Sequence, residues 1–99
     1  MSYLKRPVSY VARDDVVLSE LPDGIALLDL CFGKYFGLNA VGAHVWKMVQ
    51  TPNEIGVILA SVCKKFDVEA DVCMRDVDAL LTSLVSSRLV KTNYVAESL

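Results

Sequence analysis

The spacing of hydrophobic residues changes once along this 99-residue chain. Between residues 16 and 38 apolar residues come in short runs broken by turn formers, and from residue 39 onward they recur every three or four positions. The first regime predicts strands and the second helices. Val16-Val17-Leu18-Ser19-Glu20-Leu21 reads as a strand with β-branched residues at its start. Leu21-Pro22-Asp23-Gly24 then reads as a turn, with Pro22 presetting φ, Asp23 bonding its own backbone and Gly24 accepting a positive φ. Ile25 to Leu30 is a second strand, so nearly apolar that both faces are expected to be covered in part. The connection Cys31-Phe32-Gly33 returns the chain as a third, antiparallel strand, Lys34 to Leu38.

The helical regime begins at Asn39, a good N-cap, and places Val41, Val45, Trp46, Met48 and Val49 on one stripe. Gly42 inside that helix costs about 1 kcal/mol relative to Ala, which close packing against another element would explain. Thr51-Pro52-Asn53-Glu54 has the form of a capping box, opening a second helix to about Phe66 that buries Ile55, Ile58, Leu59, Val62 and Phe66. A third helix is expected from about Glu69–Asp71 to Ser87–Arg88, burying Val77, Leu80, Leu81, Leu84 and Val85, with Leu89-Val90 packing back. The reading is an α+β domain: a three-stranded antiparallel meander followed by three helices, resembling a winged helix-turn-helix. Residues 1–15 are expected to form an arm, 16–90 the domain, and 91–99 a polar, frayed tail.

Composition removes several classes of function. Apolar residues are 54% of the chain, too many for disorder, and no apolar run approaches the roughly 18 residues a membrane span needs. The N-terminus has no apolar stretch behind Lys5-Arg6, so no secretory signal is read and a cytoplasmic location is the default. Ten Lys and Arg against twelve Asp and Glu, a net charge of −2, argue against non-specific nucleic-acid binding. Cys31, Cys63 and Cys73 are widely spaced, fit no metal pattern, and are expected to be small buried hydrophobes. His44 is the sole histidine, and a Cys63–His44 pair has no nucleophile signature around it. Gly33, Gly37 and Gly42 form no phosphate loop. No catalytic residue, metal site or cofactor is expected.

A meander leaves two sheet edges, and proteins normally blunt an edge with charge, proline or a bulge. The strand Lys34-Tyr35-Phe36-Gly37-Leu38 has one Lys, no Pro and two aromatics, which suits an edge meant to receive an added peptide strand. The same edge could instead be covered by the third helix or by the arm.

The segment "ALLDLCFGKYFGLNAVGAHVWKMV", followed by "DVDALLTSLVSSRLV", closely resembles the PqqD-like family, the RiPP recognition elements that bind ribosomally made, post-translationally modified peptides. The matching positions are Leu28, Asp29, Gly33, Lys34, Tyr35, Leu38, Asn39, Gly42 and Trp46, then Asp76, Val77, Leu80, Leu81, Leu84, Leu89 and Val90. The resemblance implies that the N-terminal leader of a precursor peptide adds as an antiparallel strand beside Lys34, Tyr35, Phe36, Gly37 and Leu38. It also implies a cleft wall on the third helix that includes Cys73, Asp76, Val77 and Leu80, with Tyr35, Phe36 and Leu80 lining an apolar pocket. The pattern is most similar to the stand-alone proteins of lasso-peptide clusters, which implies delivery of the leader to a separate cysteine peptidase. Two positions depart from the family: Glu69-Ala70 where an acid or Ser precedes Pro, and Ser87-Arg88 where a Gly is frequent.

The leading expectation is therefore a non-catalytic leader-binding module. The alternatives are a peptide chaperone for a radical-SAM enzyme of pyrroloquinoline-quinone type synthesis, a winged-helix DNA-binding domain, and a dimerisation domain in which two copies pair as a homodimer through the open edge.

Overall fold

The computed structural model describes residues 7–94. Its elements run β1 (Pro7–Ala12), β2 (Val17–Leu21), β3 (Gly24–Asp29), β4 (Lys34–Asn39), α1 (Ala40–Met48), α2 (Ile55–Phe66), α3 (Ala70–Ser86) and β5 (Val90–Tyr94). The expected meander is present as the antiparallel sheet β2-β3-β4, and three helices follow it. Residues 7–12 and 90–94 add a second, two-stranded antiparallel sheet that was not expected from the sequence. What reads as arm and frayed tail is thus paired through Tyr94; residues 1–6 and 95–99 lie outside the described residues. Tyr10 also exchanges backbone hydrogen bonds with Asn53, at 2.8 and 3.0 Å. That pairing holds Asn53 extended and delays α2 to Ile55, so Thr51 caps nothing and the capping box is not formed.

The core lies between the helices and one face of the meander. Leu27, Val45, Val49, Ile58, Val62, Val77, Leu81 and Leu89 are buried in it, with Trp46 at 3% exposure. Asn39 caps α1, its side-chain oxygen accepting from the Gly42 N–H at 2.9 Å.

Two glycines earn their place. Gly33 has a φ of 65° in the β3–β4 loop, the left-handed region. Gly24, expected to need positive φ, is instead an ordinary strand residue needed for close approach: a Cβ there would lie 1.9 Å from the Leu38 carbonyl oxygen. Arg88, with a φ of 64°, also adopts the left-handed conformation, at a cost of about 1–2 kcal/mol for a residue bearing a Cβ. It turns the chain from α3 so that Leu89 and Val90 enter the core.

The hairpin geometry fixes which backbone groups face outward. Leu21 pairs with Gly24 across the two-residue loop Pro22-Asp23. A pair closing so short a loop exchanges both of its hydrogen bonds, and such pairs alternate along a ladder. Gly24, Ala26 and Leu28 therefore bond to β2. Ile25, Leu27 and Asp29 bond to β4 through Leu38, Phe36 and Lys34, since the β3–β4 register has no bulge. Tyr35 and Gly37 consequently aim their N–H and C=O groups away from the sheet, as does the Asn39 N–H, while the Asn39 carbonyl enters the first turn of α1.

Candidate functional site

β4 is bonded on one side by β3, and among the described residues no strand pairs with its other side. Its side chains alternate across the sheet. Phe36 and Leu38 face inward, half-buried against the core, while Tyr35 points to the opposite face and is 66% exposed. The expectation from the sequence is one pocket lined by Tyr35, Phe36 and Leu80; in the structure Tyr35 and Phe36 lie on opposite faces of the sheet, and Phe36 and Leu38 share the inner side. Lys34 is exposed at the start of the strand and Gly37 has no atom within 4 Å of where a Cβ would stand.

Helix α3 presents three strips. Cys73, Val77, Leu81 and Leu84 are buried in the core. One flank, with Asp71, Met74 and Asp78, borders a groove shared with Ile55 and Leu59 of α2. At 100° per residue, Asp76, Leu80, Ser83 and Ser87 fall on the other flank, away from α2. Ser87 lines a groove with Phe32 and Lys34, so this flank meets the β4 side of the molecule. Of the four helix residues expected in a cleft wall, Asp76 is exposed and Leu80 half-buried, both on this strip. Cys73, 2% exposed, and Val77, 0%, are core residues whose side chains are not presented to a guest strand.

The remaining chemistry is structural. Cys73 donates to the Leu59 carbonyl at 3.7 Å, and its thiol is pushed up to about 11 by burial and by the neighbouring Cys63. Cys31, expected to be buried, is exposed in the β3–β4 loop, because that loop projects from the sheet. His44 bonds Ser61 Oγ at 2.8 Å rather than Cys63 and meets Phe66 edge-on. Its pKa is held low by burial, then by Lys65 and Lys47, which favours a neutral ring. Among the described residues no group of three or more His, Cys, Asp or Glu is placed to hold a metal ion, and no helix is long and apolar enough to cross a membrane.

One polar cluster was missed by sequence reasoning. The fully buried Asp29 carboxylate accepts from Arg13 Nη2 at 2.6 Å and Nη1 at 3.4 Å, and from the backbone N–H of Cys31 and Phe32 at 3.0 and 3.4 Å. Arg13 also donates to the Arg88 carbonyl at 3.0 Å and to Asp15 at 2.6 Å. The Arg13 guanidinium, with the two backbone donors, holds the Asp29 carboxyl below its ordinary range against the effect of burial. This cluster ties three chain segments together at the start of β4: the β1–β2 link, the β3–β4 loop and the turn after α3. The available signal was an aspartate closing an apolar strand, Leu27-Leu28-Asp29, which a lone acid in a core strand rarely does without a cationic partner.

Comparisons with known proteins place this arrangement. No curated protein sequence is significantly similar to the chain. TbiB1, solved in complex with the TbiA(beta) leader peptide, is 29% identical, with 87% of this chain and 99% of that chain covered at a TM-score of 0.72. A lasso peptide synthetase B1 complexed with its leader peptide is 23% identical, covering 83% and 96% of the two chains at 0.70. The PqqD truncation of Methylobacterium extorquens PqqCD, described as a stand-alone RiPP recognition element, is 19% identical over 84% and 88% at 0.68. The last two likenesses concern the fold. The family model of coenzyme PQQ synthesis protein D matches residues 21–90, from the end of β2 through the three helices to the first residue of β5, and the chain therefore belongs to the PqqD family.

Proposed function

We infer that this protein is a non-catalytic module that captures the leader of a ribosomally made precursor peptide by strand addition along β4. The carrying observation is the open β4 edge: outward backbone groups at Tyr35 and Gly37 on a strand whose Phe36 and Leu38 are half-buried against the core. A guest strand can take the backbone bonds while alternate side chains enter the apolar strip. The 29% identity to TbiB1, a protein solved with a leader bound, supports the same use here. The guest runs antiparallel to β4, and Lys34, Tyr35, Phe36, Gly37, Leu38, Asp76 and Leu80 form its contact surface.

A further step, in which the captured leader is presented to a separate cysteine peptidase, follows from the resemblance of the sequence to the stand-alone proteins of lasso-peptide clusters. The same module serving a radical-SAM enzyme is the second reading, supported by the PqqD family match. DNA binding is disfavoured by the exposed face of α3, where Arg75 stands among Asp71, Asp76 and Asp78 and phosphates would be repelled.

The test is a titration of the protein into a fluorescein-labelled synthetic leader from the precursor gene beside its own, followed by anisotropy. Saturation at micromolar concentration or better, lost with a scrambled leader, is expected. Equal binding of the two peptides, or none of either, would refute leader capture.

A further inference from the structure

Lys34, at the start of β4, borders a groove of about 280 Å³ shared with Phe32, Ser86, Ser87 and Arg88. Arg88 carries a left-handed backbone that a glycine would adopt without strain. Its guanidinium lies over the Phe32 ring, 5.8 Å from the centroid, and Phe32 itself is 52% exposed. Across Phe32 a second groove brings in Lys91. Among the described residues none of Lys34, Arg88 and Lys91 forms an ion pair. The nearby carboxylates, Asp15 and Asp29, are both taken by Arg13. A chain of net charge −2 thus gathers three unneutralised cations at one end of its open edge strand.

The direction of a guest strand says what meets them. A strand antiparallel to β4 starts near Asn39 and ends beside Lys34, so its downstream residues pass over this groove. We propose that Arg88 and Lys34 form a carboxylate-reading subsite that selects guest peptides carrying Asp or Glu within the first three residues after the segment paired with β4. The proposal rests on the leader-docking reading and adds its specificity element. The Phe32 ring attracts the guanidinium from one side and accepts none of its hydrogen bonds, which leaves its N–H fork free for a planar carboxylate. Ser86 and Ser87 supply hydroxyl donors in the same groove.

The experiment uses the full chain and fluorescein-labelled peptides built on the leader of the adjacent precursor gene. At each of the three positions after the pairing segment, Asp and Asn versions are compared. At one position the Asp peptide should bind about fivefold more tightly than the Asn peptide at low salt, and the ratio should shrink in 0.5 M NaCl as charges are screened. Arg88→Gly suits the backbone conformation, so it should fold with an unreduced melting midpoint while bringing the Asp/Asn ratio toward one; Lys34→Gln should lower the ratio in part. A ratio near one at every position in the parent protein, or an unchanged ratio in Arg88→Gly, overturns the subsite while leader capture stands. If no peptide of the set saturates, leader capture itself fails and the subsite with it.

Discussion

Replacing Gly37 by proline removes an outward N–H from the β4 edge while leaving the meander's own hydrogen bonds intact. The ladder gives Phe36 to Leu27 and leaves Gly37 facing away from β3. Proline is tolerated on an edge strand when its missing N–H would have faced outward. In the complex, a guest carbonyl would lose its donor. The lost bond and the unpaired acceptor together amount to roughly 2 kcal/mol, or about a 30-fold rise in Kd. Gly37→Ala is the control: nothing stands within 4 Å of the new Cβ, and the N–H is retained, so its affinity should stay near that of the parent. Phe36→Pro should behave differently, because it breaks an internal bond to Leu27 and deletes a half-buried ring. A loss of about 3 kcal/mol would lower the melting midpoint by more than about 10 °C. Anisotropy with the labelled leader and thermal melts followed by circular dichroism separate the two effects. If Gly37→Pro binds as well as Gly37→Ala, or Phe36→Pro melts normally yet fails to bind, the assignment of outward groups is wrong.

Three more outcomes are expected. Trp46→Ala should destabilise the fold by about 3–5 kcal/mol in chemical denaturation, since the indole is almost fully enclosed; a midpoint near that of the parent would remove Trp46 from the core. Gly42→Ala should lower the melting midpoint although alanine is the better helix former, because its Cβ would stand 2.9 Å from Leu38 Cβ and push on β4; an equal or higher midpoint would show that β4 yields freely. The Asp29 carboxyl is held low in the folded chain, so the stability it supplies is complete above the ordinary carboxylate range of about pH 4 and is lost as pH falls through the depressed folded value. Melting midpoints of Asp29→Asn should therefore lie below those of the parent at pH 7 and approach them in strong acid; parallel curves at all pH values would contradict the role given to Arg13.

Legibility in the sequence followed the range of the interaction. The position of the β2–β3 turn (though not the positive φ expected of Gly24), Asn39 as a cap, the buried stripes of the three helices and the packing reason for Gly42 are all local, and the structure places them as the pattern predicts. The β1–β5 sheet joins segments about eighty residues apart, with no turn signal between them and polar Lys91, Thr92 and Asn93 in one strand. Asn53 shows the same effect in miniature, since its pairing with Tyr10 overrides a well-formed capping box. At the candidate site, the edge strand was readable because Lys34 to Leu38 is short, apolar and nearly uncharged. The depth of each side chain was not: period 3.6 places Cys73 and Val77 on one face of a helix but does not say whether that face meets the core or a cleft. Arg88 was visible only as a non-glycine where a glycine was expected, and its position over Phe32 required the fold.

The length of the exposed edge decides how such a strand can be left open without sticking to copies of itself. The outward groups of Tyr35 and Gly37 offer two donors and two acceptors and Asn39 a third donor, while the carbonyl of Asn39 is committed to the first turn of α1. Five backbone bonds at about 1 kcal/mol net each give roughly 5 kcal/mol, about the lower estimates for the cost of bringing two molecules together. Backbone pairing alone therefore leaves a Kd of about 1 M at best, which is why edge pairing between two copies is a weak reading of this surface. On the proposed docking mode, a guest gains useful affinity only by adding side chains that pack on Phe36 and Leu38 or reach the Leu80 flank of α3. In that proposal the short rail is a filter: it sets the direction and register of the incoming strand, and the side chains beside it decide which strands stay.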